Sequence, residues 1–294
     1  MAGFDLQAGT VLDSPKMFSF NNITVRDCDY SANDNPVSVI ELVHFHAPAN
    51  VLISFTELKM TNLNFHHGSA LVRLQHSCTE ETIFKNFTIF GTRNGRIVLE
   101  NVDKATHAQL VALIDVTGKN NSDSDSSLLV VKENSRLRSL RCTFEENFSF
   151  ANGGVLSASQ QNSQVTFTNS TFKNNYAMKG GESLFTNRLG VFNLNDQSFV
   201  ECDDCLIDSN FAMLGAVAST DNNAILILKR STIIANRAIN GKSVYSDDLA
   251  PITMSVNSLS SVQVVDSTLL EGNKAMSAEG FMIEAYNCTN LCFL

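Results

Sequence analysis

Apolar and polar residues alternate along several short stretches in the second half of the chain. The alternation is clearest in QVTFT from residue 164, VFNLN from 191, AILILK from 224 and SVQVVDS from 261. Because successive side chains of a strand point to opposite sides, this alternation predicts strands with one buried face. No window shows a convincing stripe with the helical period, so we predict a mostly β protein.

The first half is less regular but carries the same signals. MFSFNNITV from Met17, VLISFTELKMTNLNF from Val51, TIFKNFTIFGTRNGRIVLENV from Thr82 and RLRSLRCTF from Arg136 are typical of alternating strands with Asn or Gly at the corners. The stretch TGKNNSDSDSS, residues 117–127, has no apolar residue, and we predict a long exposed loop there.

A repeat runs through the second half. Each unit has an apolar residue three positions before an Asn, an Ala shortly after it, and a Gly about five to seven positions after it. The units recur at intervals of about 26 to 37 residues, the range of solenoid repeats. The repeat positions are Asn147, Asn175, Asn210, Asn236 and Asn273, followed by Gly154, Gly181, Gly215, Gly241 and Gly280.

Two all-β architectures fit short strands, a sandwich and a parallel β-helix. A sandwich has no reason to repeat one turn chemistry, whereas a β-helix stacks one repeat per coil at about 4.8 Å. A buried Asn would then bond the Asn of the next coil, and Gly would supply a positive φ. We predict a single β-helix over residues 1–294 with ten to twelve coils, less regular over 17–142 and clear over 143–285.

The units FEEN…GGVL and FKNN…GGES resemble the repeats of chlamydial polymorphic outer-membrane proteins and of large pectin-lyase-like surface proteins of ciliates. The resemblance covers about residues 143 to 285 and is strict only in the first two units, since Ile or Leu later replaces Phe. It implies a right-handed parallel β-helix, displayed outside the cell and acting in adhesion or as a surface scaffold.

Composition and charge exclude several classes. The hydrophobic fraction is 44% and the charged fraction 17%, which favours a folded chain over a disordered one. The net charge of −9 comes with scattered basic residues, so we expect no nucleic-acid partner. We also expect no membrane-spanning segment, since no apolar run approaches about 18 residues, and no cofactor.

Sequons and cysteines point towards a secretory chain without deciding it. Six N-x-S/T sequons are candidate glycan acceptors, at Asn22, Asn86, Asn120, Asn147, Asn169 and Asn287, although several are expected by chance in a chain this rich in Asn, Ser and Thr. The cysteine pairs in CDDC and CTNLC are candidate disulfide partners, at Cys202, Cys205, Cys288 and Cys292. A zinc site built from both pairs is the alternative.

Catalytic and metal-binding candidates each have a structural alternative. The polygalacturonase family would carry N-x-D, D-D, H-G and R-x-K in that order, but here NSD, DD and HG are far apart and out of order. Asp203, Asp204 and Asp208 form the densest acidic cluster, which fits paired glycosidase carboxylates or a solvated turn. Asp123 and Asp125 offer oxygen ligands for calcium but no evident rigid geometry, which favours a plain acidic loop. His44, His46, His66 and His67 would bind zinc if they converged, but a polar outer face with Phe45 pointing inward gives the same pattern and is favoured.

We therefore predict a non-catalytic, extracellular or surface-exposed structural or interaction scaffold. Its partners would be proteins or further copies bound through the ends or sides of the solenoid, and glycans. The apolar end NLCFL suggests a subunit or segment of a larger assembly. The alternative is a carbohydrate-active β-helix, either a lyase or hydrolase or a glycan-binding surface, which would need aromatic rings and charged groups along one face; four Tyr and no Trp disfavour sugar stacking.

Overall fold

The computed structural model is an all-β parallel solenoid. It describes residues 16–32, 35–46, 51–77, 81–101, 108–124, 127–150, 153–160, 162–177, 191–212, 216–220 and 224–238, and short strand segments from there to residue 293. These residues form 37 strands, numbered β1 to β37 along the chain, and contain no helix. The mostly-β prediction is confirmed.

Four long sheets, named A to D, form the sides of the solenoid. Sheet A contains β1 (Lys16–Asn21), β5 (Val51–Thr56), β9 (Glu81–Lys85), β12 (Gln109–Ile114), β16 (Ser135–Leu140), β20 (Gln164–Thr168), β24 (Phe199–Asp203), β28 (Ile225–Lys229), β32 (Ser261–Val265) and β37 (Asn290–Phe293). Sheet B contains β2 (Thr24–Arg26), β6 (Lys59–Thr61), β10 (Thr88–Phe90), β13 (Thr117–Lys119), β17 (Thr143–Glu145), β21 (Thr171–Lys173), β25 (Leu206–Asp208), β29 (Thr232–Ile234) and β33 (Leu269–Glu271).

Sheets C and D complete each coil. Sheet C contains β14 (Ser122–Asp123), β18 (Phe148–Ser149), β22 (Tyr176–Ala177), β26 (Phe211–Ala212), β30 (Arg237–Ala238), β34 (Lys274–Ala275) and β35 (Ala278–Glu279), and the pair β3 (Asp29–Tyr30) and β7 (Asn64–Phe65) lies on the same side. Sheet D contains β4 (Ser38–His46), β8 (Ala70–Ser77), β11 (Ile97–Glu100), β15 (Leu129–Lys132), β19 (Leu156–Ser159), β23 (Phe192–Leu194), β27 (Ala218–Thr220), β31 (Met254–Val256) and β36 (Ile283–Ala285).

Each coil takes one strand from D, A, B and C in turn, and almost every strand pairs in parallel with its equivalent in the next coil. The repeat residue Phe144, for example, lies opposite Gly118 on one side and Phe172 on the other, and Phe172 in turn lies opposite Ile207. The exception among the described strands is the antiparallel pair β34 and β35. This parallel register distinguishes the solenoid from the sandwich alternative. The number of coils, ten to twelve, and the right-handed winding of the solenoid remain predictions.

Two corners of the coil each use one residue with positive φ. The corner between sheets A and B is formed by Asn22, Glu57, Asn86, Asp115, Arg141, Asn169, Asp204 and Arg230, with φ between 45° and 56°. The corner between sheets B and C is formed by Asp27, Asn62, Gly91, Asn120, Glu146, Asn174, Ser209 and Ala235. At every one of these corner positions except Gly91, a residue with a side chain supplies the left-handed conformation that we predicted for the repeat glycines.

The repeat glycine within the described residues serves a different purpose. Gly154 has no positive φ, and a Cβ there would lie 3.1 Å from the carbonyl oxygen of Tyr176. Its role is to let two backbone segments approach, so the expected conformational role is wrong at this position. Gly181, Gly215, Gly241 and Gly280 lie outside the described residues.

Apolar side chains stack in columns inside the solenoid. The rings of Phe20, Phe55 and Phe84 follow one another along sheet A, with centroids 4.9 Å apart and interplanar angles of 14° and 6°. Phe144 and Phe172 stack in the same way in sheet B at 5.5 Å. Parallel register produces these stacks, because each inward position meets its own equivalent one strand spacing away.

The stretch 117–127 is not an exposed loop over its described part. It forms β13 and β14, and both Asn121 and Asp123 are buried. Gly118 takes the inward position of β13, where a Cβ would lie 2.7 Å from Cδ2 of Leu128. A core position filled by glycine and a neighbouring leucine leaves no apolar residue in the stretch, which is why the prediction was wrong.

Candidate functional site

The repeat asparagines form one buried column at the corner between sheets B and C. Nδ2 of Asn147 donates to Oδ1 of Asn175 at 3.0 Å, Asn175 donates likewise to Asn210 at 3.0 Å, and Asn210 donates to Asn236 at 2.9 Å. Each Nδ2 also donates to a carbonyl oxygen of sheet B in the preceding coil, such as Phe144 for Asn175. The column is architecture, because all its polar atoms are used within the fold. Asn273 lies outside the described residues.

Asn121 extends this column by one coil, which the sequence did not reveal. Its Nδ2 donates to Oδ1 of Asn147 at 2.9 Å. Thr92 closes the column, since its backbone N and its Oγ1 both donate to Oδ1 of Asn121. The spacing of 26 residues before Asn147 was the available signal, but no apolar residue stands three positions earlier, where Gly118 lies.

The acidic cluster is dispersed over a coil rather than gathered into a site. Asp203 ends β24 and forms an ion pair with Arg230, whereas Asp204 is an exposed corner residue with a φ of 56°. Asp208 ends β25 and lies 3.2 Å from Nζ of Lys173. Each carboxylate is therefore committed to a corner or to a cation in an adjacent coil, and the solvated-turn interpretation fits better than paired glycosidase carboxylates.

Of the two residues of the calcium candidate, Asp123 lies within the described residues, where it belongs to a buried ion pair. Asp123 is 4% exposed, and its Oδ2 lies 3.6 Å from Nε of Arg96, which also donates to the carbonyl oxygen of Ser69. The positive charge of a guanidinium at that distance would repel a calcium ion at the same carboxylate. Asp125 lies outside the described residues, and among the residues described no group of three His, Cys, Asp or Glu is placed to hold a metal ion.

The backbone separates the two histidine pairs. His66 and His67 precede β8, whereas His44 and His46 lie at the end of β4, and these strands run parallel from Ser38 opposite Ala70. The pairs thus lie near opposite ends of these two strands, so the four histidines do not converge as the zinc alternative would require. The Nδ1 atom of His67 lies 2.8 Å from Oγ of Ser124.

That Ser–His contact does not have the arrangement of an activated nucleophile. Oγ of Ser124 donates to Oδ1 of Asn94 at 2.9 Å, and its backbone N donates to the same oxygen. A hydroxyl has one proton, so when it is given to Asn94 the hydroxyl accepts from His67. A general base needs the reverse direction of donation.

Cysteines in the described residues are free thiols. Cys142, Cys202 and Cys205 are buried, and Cys28 is half-buried. Burial raises the pKa of the Cys142 and Cys202 thiols, which keeps them protonated and unreactive. The predicted disulfide pairing of Cys202 and Cys205 is therefore not formed here, since both serve as core side chains; the side chains of Cys288 and Cys292 lie outside the described residues.

The sequons fall into two structural groups. Asn22, Asn86, Asn120 and Asn169 are exposed corner residues with positive φ. Asn147 is 1% exposed, and its Nδ2 is bound to Gly118 and Asn175. A glycan on Asn147 would require that atom, so the folded chain cannot carry one there and the prediction is corrected; Asn287 lies outside the described residues.

Aromatic side chains form an outward-facing column on sheet C. Phe148, Tyr176 and Phe211 are the first residues of β18, β22 and β26, in register with one another, and each directly follows a column asparagine. Phe150 adds a fourth ring against Phe148, with a centroid distance of 4.5 Å. Tyr176 is 39% and Phe150 45% exposed. We call these four residues the aromatic column; an aromatic directly after a repeat Asn was the sequence signal for it.

The aromatic column differs from the core stacks in how its rings meet. Phe148 and Tyr176 have centroids 6.4 Å apart and planes inclined by 35°, and Tyr176 and Phe211 lie 5.8 Å apart at 57°. In the core, Phe55 and Phe84 lie 4.9 Å apart at 6°, so each ring covers the next. The wider, tilted spacing leaves part of each ring face uncovered by its neighbour.

A charge-balanced row borders the aromatic column on sheet B. Its members are the last residues of four successive strands, Lys119, Glu145, Lys173 and Asp208. Lys119 pairs with Glu145 at 3.1 Å, and Lys173 pairs with Asp208 at 3.2 Å. Opposite charges alternate along the axis, so the row presents polar groups without a net charge.

The comparisons with known proteins gave no match. No protein-family model, no curated protein and no solved structure matches the chain. Among the residues that the structure describes, no helix is long and apolar enough to cross a membrane.

Proposed function

We propose that this chain is an extracellular or surface-exposed structural and interaction scaffold without catalytic activity, and a subunit or segment of a larger assembly. The observation that carries the proposal is the aromatic column. Two of its rings are among the most exposed large apolar side chains of the described residues, and they lie on consecutive coils of a rigid frame. Exposed, contiguous aromatic surface marks interaction sites.

The frame fits such a role because its polar and apolar columns run along the axis without interruption. The asparagine column links five coils from Asn121 to Asn236, and stacked rings fill the interior. A solenoid held by contacts between neighbouring coils displays its sides with little internal motion. We further propose that it is right-handed, has ten to twelve coils and belongs with pectin-lyase-like surface proteins.

Secretion is supported by the placement of the exposed sequons. Asn22, Asn86 and Asn169 occupy the corner between sheets A and B in three different coils, and Asn120 occupies the corner between sheets B and C, so glycans there would project away from the sheets. The buried thiols supply no disulfide support, so the case for the surface depends on these sequons and on the aromatic column.

Labelling of intact cells tests the location. Cells that produce the chain are treated with a membrane-impermeant amine-reactive biotin reagent before or after lysis, and Lys59 and Lys119, both on sheet B, are followed by peptide mass spectrometry. We expect modification of both lysines on intact cells. Modification only after lysis, with an intracellular marker behaving identically, would contradict the proposed surface role.

A further inference from the structure

The aromatic column is built to hold a ligand through side chains alone. The backbone N atoms of Tyr176, Phe211 and Arg237 donate to the carbonyl oxygens of the preceding coil, at 2.8, 2.9 and 2.8 Å. An extended peptide that adds to a sheet needs unpaired backbone groups at an edge. Sheet C offers none at these positions, so strand addition does not explain the column.

The chemistry beside the rings selects an uncharged ligand. The adjoining row consists of the pairs Lys119–Glu145 and Lys173–Asp208; Lys119 also lies 3.6 Å from Glu146, and exposed Arg237 lies opposite Phe211 in the next strand of sheet C. These three cations and three anions leave the surroundings of the column without a net charge. A polyanion or polycation would meet as many repulsive as attractive groups along this row. Between the row and the rings, the corner residue Asn174 adds an amide that both donates and accepts hydrogen bonds, and the Ser209 hydroxyl, which donates its proton to Asp208 at 2.6 Å, adds an acceptor.

We propose that the aromatic column binds a linear, uncharged polysaccharide lying along the solenoid axis. A pyranose ring has an apolar C–H face, which fits the exposed rings of Tyr176 and Phe150 and the partly exposed rings of Phe148 and Phe211, and hydroxyl edges, which fit the neighbouring polar row. The ring steps of 6.4 and 5.8 Å place successive aromatic rings at intervals comparable with successive sugars. This inference rests on the proposed interaction role and names its ligand class.

Affinity electrophoresis tests the ligand class with the full chain. Native gels contain one polysaccharide each: laminarin, xylan, galactomannan or dextran as neutral probes, and heparin or polygalacturonate as anionic ones. We expect retardation by at least one neutral polysaccharide and none by the anionic ones. Retardation by the anionic polymers alone, or by no polysaccharide, overturns the proposal, as does binding of a proline-rich peptide with no polysaccharide bound.

Substitutions tie the binding to the column. We expect Tyr176→Ala to weaken binding about tenfold, and Tyr176→Phe, which retains the ring, to bind nearly as well as the parent chain. Phe90→Ala is the matched control, because Phe90 is 40% exposed on sheet B, outside the column. Equal retardation of the parent, Tyr176→Ala and Phe90→Ala chains would place the ligand elsewhere.

Two further measurements keep the test decisive. If Tyr176→Ala unfolds, as judged by its thermal transition, Phe150→Ala replaces it, since that ring is 45% exposed and is expected to weaken binding severalfold. Labelling on intact cells separates the two proposals. A chain that is labelled on intact cells but binds no neutral polysaccharide would overturn the ligand proposal and leave the scaffold proposal standing. A chain that binds a neutral polysaccharide but is labelled only after lysis would overturn the surface role and leave the ligand proposal standing.

Discussion

The side-chain amide of Asn175 connects to that of Asn210 in the next coil through a 3.0 Å hydrogen bond, and the backbone N of Asn175 donates to the same oxygen at 2.9 Å. On the other side, Oδ1 of Asn175 accepts from both the backbone N and Nδ2 of Asn147. One fully buried side chain thus joins three coils.

Replacing Asn175 should be among the most destabilising single changes in the chain. Asn175→Ala leaves the buried donors of Asn147 without an acceptor, and we expect a loss of about 3 kcal/mol in the free energy of unfolding. Urea unfolding followed by circular dichroism measures it. The control is Asn174→Gly, since glycine accepts the corner φ of 51° at little cost. Equal midpoints for the two variants would contradict the role of the column.

Replacing Asn121 should destabilise the fold as replacing a repeat asparagine does, although its neighbours in the sequence are polar. It is buried, donates to Asn147 and accepts from Thr92. We expect Asn121→Ala to lower the free energy of unfolding by about 2 kcal/mol, and the adjacent Asn120→Gly to change it by less than about 0.5 kcal/mol. If both substitutions were neutral in the same urea experiment, residues 117–124 would be a surface loop after all.

The ion pair of Asp115 and Arg141 predicts a local pH effect. Nε and Nη2 of Arg141 donate to the two carboxylate oxygens at 2.7 and 2.9 Å, and these hydrogen bonds hold the pKa of Asp115 below its usual value of 3.8. A depressed pKa means that the pair stabilises the fold above the unfolded pKa of Asp115, and that this contribution is lost as the pH falls through the lower folded value.

Carboxyl carbon NMR titration checks this shift. We expect Arg141→Gln to raise the pKa of Asp115 towards 3.8 and to leave stability at acid pH almost unchanged. Arg136→Gln removes the same charge from an exposed position of sheet A and serves as the control. An Asp115 pKa that is identical in the parent and Arg141→Gln chains would show that the pair does not form in solution.

N-glycosylation should occur at the exposed asparagines of the corners and not at the buried asparagines of the column. After expression through a eukaryotic secretory pathway, we expect glycans at some or all of Asn22, Asn86, Asn120 and Asn169, and none at Asn147 in the folded fraction. Enzymatic deglycosylation in heavy-oxygen water, followed by peptide mass spectrometry, identifies each occupied site. A folded chain with a glycan on Asn147 would be inconsistent with the buried column.

Thiol labelling of the native chain provides an independent check on the core. Cys142, Cys202 and Cys205 should resist iodoacetamide until the chain unfolds, because they are buried and burial raises the pKa of Cys142 and Cys202. Cys28, which is half-buried, should react earlier. Equal labelling rates for all four in the absence of denaturant would argue against this packing.

The sequence predicts the strands and the buried asparagine column better than it predicts the features of the surface. Alternation identified strands such as β20, and the recurring Asn identified the column from Asn147 to Asn236, because both patterns repeat once per coil. Asn121 was missed because the inward position before it is Gly118, whose space is filled by Leu128, the residue just before β15. Such compensation between strands is a property of packing and leaves no local pattern.

The aromatic column was hidden for a related reason. Phe148, Tyr176 and Phe211 occupy the first position of two-residue strands, too short to show alternation. Their outward direction follows only once the neighbouring Asn is known to point inward. The Asn and Gly corners of the first half were predicted, but those at Glu57 and Arg141 were missed, because a left-handed φ at such residues has no sequence signature and is imposed by the surrounding coils.

All of these claims depend on each coil placing its equivalent residues in one column. Thr88 and Thr232 begin β10 and β29, which lie five strands apart in sheet B. Nitroxide amino acids introduced at these two positions allow their separation to be measured by pulsed electron–electron resonance. The account predicts a narrow distribution near about 24 Å between the backbones. A broad distribution, or a mean that departs by more than roughly 10 Å, two strand spacings, would contradict the stacked solenoid.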